Sequence, residues 1–184
     1  MYLIHELQQD YQAGKKLKFL YFWGHQASAD GSITKSCISQ WWKSQFIVDG
    51  VTYSSAEHFM MAEKARLFQD HEILEQILAS NHPKQAKELG RKVRGFNHEL
   101  WTLNAYDIVV RGNFAKFSQN KRLEHFLIGT QNRVLVEASP VDKVWGIGMS
   151  IDHESIGNPM LWKGQNLLGF ALMDVRQRLL DTVE

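Results

Sequence analysis

The segment Val48–Arg66, VDGVTYSSAEHFMMAEKAR, constrains this chain more than any other. Asp49-Gly50 is a tight-turn dipeptide, and Gly50 supplies the positive φ that a two-residue hairpin turn demands. Trp41, Trp42, Phe46 and Val48 lead into the turn, and Val51–Tyr53 leaves it. Together they read as an antiparallel hairpin. Just beyond, Ser54 stands as a helix cap, with Glu57 three residues on, at capping-box spacing. Helical periodicity from Glu57 puts Met60, Met61 and Lys64 on one side. A carboxylate and an amine among thioethers suit neither a solvent stripe nor a core stripe. Two readings of Glu57 compete. It reaches back to the Ser54 N–H and stabilises the helix start, or it faces a pocket and does acid–base or nucleophilic work. Lys64 is correspondingly an ordinary solvated lysine or part of that pocket.

The flanking chain supplies the rest of one domain. Residues 2–12 carry Leu3, Leu7 and Tyr11 at helical spacing, and Gly14 ends that helix. The apolar run 17–23 predicts a strand, and the small polar residues 27–39 a loop. Helices follow over 55–68, 71–79 and from Pro83 to Leu89. A long helix capped by Asn97 runs to about Phe117, with Leu100, Ile108, Val109 and Phe114 among its apolar positions. A short helix at 123–128, a strand at 133–137, a glycine-rich loop from Pro140 to Pro159 and a closing helix at 166–180 complete the order. The expectation is an α+β fold, predominantly helical, as a single domain with a small antiparallel sheet.

Composition removes whole classes of function. A chain of 184 residues with 44% hydrophobic and 22% charged residues can bury a core. A net charge of +1 offers no field for a long polyanion, so phosphate recognition must be local. The single cysteine, Cys37, excludes an internal disulfide framework and a cysteine-ligated zinc site. The eight histidines are scattered, with no i, i+4 pair, so neither a metal nor a cofactor is expected. No stretch has the length of a membrane span, and the N-terminus does not read as a signal peptide. The physical default is a cytoplasmic protein.

Two further clusters carry chemistry. Arg91, Lys92 and Arg94 stand beside glycines and either grip a single phosphate or form a solvated basic loop. In Pro140–Gly146, Asp142 is a turn residue or a catalytic acid. Trp145 beside Gly146 is a core plug or the wall of a site whose glycines admit a ligand. Trp101, early in the long helix, is core or a stacking face. The presence of six tryptophans fits either role.

Read in order, these residues resemble a known family. The set comprises Tyr21-Phe22-Trp23-Gly24-His25, Val48-Asp49-Gly50, Tyr53 to Met60, Lys64-Ala65, Ala115-Lys116-Phe117, Val136 to Pro140, Asp142, Trp145 to Gly148, Asn166 to Gly169, Leu172-Met173 and Arg176. It is similar to the NADAR family, whose bacterial YbiA-type members are N-glycosidases. The resemblance covers roughly residues 19–180 and leaves 1–18 as an extension outside it, with 19–184 as one NADAR domain. It implies hydrolysis of an N-glycosyl bond, either in the ribosylamino-pyrimidine phosphates of riboflavin synthesis or in an ADP-ribose conjugate, including one carried on nucleic acid. A non-catalytic ADP-ribose or nucleotide pocket is the third alternative. The resemblance places catalysis on Glu57, Asp142 and Trp101, and Lys64 adds a Schiff-base route. Substrate contacts are expected from Trp145, Gly146, Arg91, Arg94 and the segment Trp23-Gly24-His25. Some YbiA-type members carry an acid two residues after the tryptophan, where this chain has Ile147.

Overall fold

The computed structural model describes residues 2–182. The fold is α+β and mainly helical, as the patterning predicts. The chain divides into two compact units, Met1–Ser39 with His125–Glu184, and Gln40–Glu124.

The second unit contains the hairpin β2 (Phe46–Val48) and β3 (Val51–Tyr53), followed by α2 (Ala56–Leu67), α3 (His71–Ala79), α4 (Pro83–Gly90) and α5 (His98–Ser118). The hairpin pairs antiparallel, Phe46 with Tyr53 and Val48 with Val51. Asp49 and Gly50 both take positive φ, +50° and +77°, the geometry a type I′ turn needs. The turn points Phe46 and Tyr53 inward, and Phe59 of α2 meets Tyr53 edge-on at 5.0 Å between ring centroids. Phe59 is fully buried, and truncating such a ring costs about 3–5 kcal/mol. Gly112 of α5 lies under this ring; a Cβ there would stand 2.9 Å from its Cε1, so α5 can approach α2 only through a glycine. The buried face of α5 is Ala105, Val109, Val110, Gly112, Asn113, Lys116 and Phe117. Leu100, expected on the apolar face, is instead 40% exposed, because the first turns of α5 lie outside the stretch that packs.

The first unit pairs β1 (Phe19–Phe22) with β4 (Val134–Glu137) in parallel, Phe19 against Val134 through to Phe22 against Glu137. This adds a parallel pair to the expected hairpin. Val134, Leu135 and Val136 are all buried, the signature of a strand covered on both faces. Helix α7 (Leu167–Asp181) packs on β4, with Gly169 against the Leu135 carbonyl. Helix α1 (Ile4–Gln12) buries Leu7. The segment read as loop, 27–39, contains a 3-10 turn at Lys35–Ile38 that buries Cys37 and Ile38, two apolar side chains too few to show a period. Helix α6 (Lys121–Ile128) carries the chain from one unit into the other.

Candidate active site

The sequence nominees divide between the two units, five in the second and six in the first. In the second, Ser55, not Ser54, caps α2: its Oγ accepts the His58 N–H at 3.1 Å. The capping box expected from Ser54 and Glu57 therefore does not form. Ser54 N–H donates to the His58 ring at Nδ1, 3.1 Å away, so the imidazole takes the role expected of the carboxylate. Glu57 sits in the first turn of α2, 5% exposed, and its backbone N–H donates to the Gln40 carbonyl at 3.0 Å. The partial positive charge of the helix N-terminus favours an anion there.

Lys64 lies two turns along the same face, about 10 Å further down the axis. It is not a solvated lysine. Its Nζ donates to the Gly90 carbonyl at 2.8 Å and lies 4.4 Å from the centroid of Phe96 and 5.7 Å from that of Trp101. Burial lowers its pKa from the ordinary lysine value. Met61 fills the space beside Gly90, where a Cβ would collide with its Sδ, so α4 can close on α2 and bring that carbonyl within reach. Trp101 is half-buried. With Asn97 as N-cap, Phe96 and Trp101 occupy the N′ and N4 positions of a hydrophobic staple, which explains why both rings reach the same amine.

The basic loop resolves into different occupations. Arg94 forks onto Asp70, Nε to Oδ2 at 3.0 Å and Nη2 to Oδ1 at 2.5 Å, and also pairs with Glu72 at 2.9 Å. These charge-assisted bonds hold the Asp70 carboxyl well below the usual carboxylate range. Asp70 also caps α3, so Arg94 staples the 91–95 turn to that helix. Arg91 is exposed, and its side chain makes no hydrogen bond or ion pair within the described residues.

In the first unit, the carboxyl ends of β1 and β4 point the same way. Trp23-Gly24-His25 leaves one, and the segment through Asp142 and Trp145 leaves the other. Ligands of parallel sheets collect at such ends. Asp142 is a turn residue in the way its sequence suggests: Oδ1 accepts the Val144 N–H at 2.9 Å and the Trp145 N–H at 2.8 Å. Its Oδ2 takes no hydrogen bond among the described residues. Trp145 is half-buried, and Trp23 is 58% exposed. Gly146 is buried, and a Cβ there would lie 2.9 Å from the Glu137 carbonyl oxygen and 3.0 Å from that of Asp142, so packing alone requires glycine. Ile147, two residues after Trp145, is fully buried core. Asn166, held at φ +56°, accepts the Glu137 N–H and donates to the Leu135 carbonyl, sealing the outer edge of β4.

The sequence reading missed His58, Asp70 and Phe96. The staple spacing around Asn97 was a usable signal for Phe96. Asp70 directly precedes the helix expected from residue 71, an N-cap signal in its own right, and His58 stands inside the Tyr53–Met60 motif without a role of its own. Among the described residues no group of three or more His, Cys, Asp or Glu could hold a metal ion, and no helix is long and apolar enough to cross a membrane.

A NADAR domain matches residues 21–180, most of the chain and parts of both units. The chain belongs to the NADAR family. It is 39% identical over 165 residues to an N-glycosidase of Acanthamoeba polyphaga mimivirus, covering 87% of this chain and 95% of that one. It is 31% identical over 132 residues to N-glycosidase YbiA of Escherichia coli, covering 72% and 74%. The NMR structure of E. coli YbiA shares its fold, with a TM-score of 0.72 at 26% identity over 91% of this chain and 88% of that one. It is also 32% identical over 142 residues to the maize riboflavin biosynthesis protein PYRR, of which it spans 21%. This NADAR chain is a hydrolase of N-glycosyl bonds.

Proposed function

We propose that the enzyme hydrolyses the C–N bond of ribosylamino-pyrimidine 5′-phosphates, intermediates of riboflavin synthesis, releasing ribose 5-phosphate. The observation that carries this reading is the face of α2. It mounts a buried Glu57 in the first turn and, two turns on, a half-buried Lys64 whose amine lies over the rings of Phe96 and Trp101. The relationship to a riboflavin biosynthesis protein supports the substrate class.

The chemistry follows from the groups. As the C–N bond lengthens, positive charge gathers on the sugar ring, and the Glu57 carboxylate stabilises it. Water adds to C1 and gives up a proton, and the aminopyrimidine nitrogen leaves with one. Asp142, in the other unit, is the second acid that the family pattern nominates. Trp101 provides a face for the heterocycle. Arg91 meets the phosphate, while Arg94 shapes the turn that presents it. A covalent route uses Lys64, whose lowered pKa increases the neutral amine. The amine adds to C1 of the opened sugar, the aminopyrimidine departs, and a C1=N bond to lysine remains until water cleaves it.

A second reading, hydrolysis of an ADP-ribose conjugate such as ADP-ribosyl-guanine, is favoured by the exposed ring of Trp23, a face open to a second base. One panel separates the two. Wild type, Glu57→Gln and Asp142→Asn are incubated with each substrate, and mass spectrometry detects ribose 5-phosphate or ADP-ribose. Glu57→Gln should lose roughly 10²–10³ in kcat, the usual cost of one electrostatic partner. Unchanged turnover in that variant would remove Glu57 from the mechanism. Borohydride should trap sugar on wild type and not on Lys64→Ala; no trapping in wild type discards the covalent route.

A further inference from the structure

The reaction as derived leaves one buried titratable group beside the reacting carboxylate without a role. His58 is 3% exposed and immediately follows Glu57 in α2. Both its ring nitrogens are committed. Nε2 lies 2.8 Å from the Ile77 carbonyl, which can only accept, so Nε2 carries the proton. Nδ1 faces the Ser54 backbone N–H at 3.1 Å, which can only donate, so Nδ1 presents a lone pair. The partners thus select the neutral Nε2–H tautomer. Burial agrees, pushing the ring below the ordinary histidine pKa against the opposing pull of the Ile77 carbonyl.

The geometry links the end of α3 to the chain entering α2. The Ile77 carbonyl also accepts from Ser80 Oγ at 2.7 Å, so its position is fixed independently of the ring. Tyr53 meets the imidazole edge-on at 5.5 Å and limits its rotation. The His58 backbone N–H is held by Ser55 Oγ and the Glu57 N–H by the Gln40 carbonyl. The peptides on both sides of Glu57 therefore have fixed partners, and the ring supplies the tie at Ser54.

We propose that His58 is a positioning residue for catalysis: through its Nδ1 bond to the Ser54 N–H it holds the first turn of α2, and hence the Glu57 carboxylate, in register for the sugar. This rests on Glu57 being the reacting carboxylate. His58 itself touches no substrate. Its two bonds separate cleanly by substitution. In His58→Asn the amide oxygen stands near Nδ1 and keeps the Ser54 tie while losing Ile77. In His58→Gln the amide nitrogen stands near Nε2 and keeps Ile77 while losing the acceptor for Ser54.

The experiment measures kcat, KM and thermal unfolding for wild type, both His58 variants and Glu57→Gln, with kcat corrected for the folded fraction. Both His58 variants should lower Tm. The expected split is in turnover: His58→Gln loses kcat on the order of 10–100-fold with KM little changed, as sub-ångström misplacement does. His58→Asn recovers most of that loss. Equal corrected kcat values in the two His58 variants, whether both high or both low, would overturn the assignment, since a purely structural role does not discriminate the two bonds. A fully active Glu57→Gln overturns the reading beneath it as well. An inactive Glu57→Gln beside a fully active His58→Gln overturns the positioning role alone.

Discussion

Replacing Ser55 with alanine tests the mounting of the site at its base. The spacing of the sequence points to Ser54 as the cap of α2, whereas the structure gives that place to Ser55. Ser55 is fully buried, and its Oγ is the acceptor for the His58 N–H. Removing it leaves a donor of the first helical turn without its side-chain partner where water does not reach. Loss of a serine cap costs about 1 kcal/mol, and leaving a buried donor unsatisfied raises that toward about 2 kcal/mol. For a domain of this size each kcal/mol corresponds to roughly 2–4 °C, so Ser55→Ala should lower Tm by roughly 2–8 °C. Ser54→Ala removes only a partly buried hydroxyl 3.2 Å from the His58 ring and should cost less than half as much. Urea titration and differential scanning calorimetry of the two variants check this. Equal losses, or a larger one in Ser54→Ala, would refute the capping assignment and the account of how Glu57 is held.

Three further outcomes follow from the same structure. Because burial lowers the His58 pKa, the unfolded chain protonates first as pH falls below its ordinary value of about 6.5. The stability tied to the neutral ring is present above that pH and is lost below it. Wild-type Tm should therefore fall more steeply between pH 7 and 5 than that of His58→Asn, and parallel slopes would contradict the tautomer assigned here. Arg94 holds Asp70 below its ordinary pKa, so their pair stabilises above about pH 4 and is lost on acidification. Arg94→Met should lower Tm at pH 7 and flatten the acid limb of the stability curve, whereas Arg91→Met should raise KM for a phosphorylated substrate with Tm unchanged. Gly169→Ala would drive a methyl into the Leu135 carbonyl and the Asn166 amide. It should cost about 1–3 kcal/mol in denaturant unfolding, and a neutral result would dispute the packing of α7 on β4.

The elements were legible where local rules decide them. Asp49-Gly50 dictated its turn because few residue pairs tolerate two positive φ values. Asn97, Pro83 and the Ile73–Ile77 spacing marked helix starts and faces for equally local reasons. The ordered motifs also marked Glu57, Lys64, Trp101 and Asp142 as candidates. Ser54 and Ser55 were harder to separate, because adjacent serines present the same hydroxyl and only the backbone angle at 55 decides which faces the helix. Arg94 looked like a phosphate ligand until Asp70, 24 residues earlier, took its guanidinium.

The sequence by itself determined the order and kind of the elements, the family, and the residue types available for chemistry, since all of these rest on periodicity, turn geometry and motif order along the chain. Tertiary structure alone decided what those residues face. It drew the Lys64 amine over the rings of Phe96 and Trp101, tied His58 to Ile77, and paired β1 with β4 more than a hundred residues away. Burial and hydrogen-bond partners set the charge state and reach of a side chain, and both are properties of neighbours in space, which no local pattern along the chain encodes.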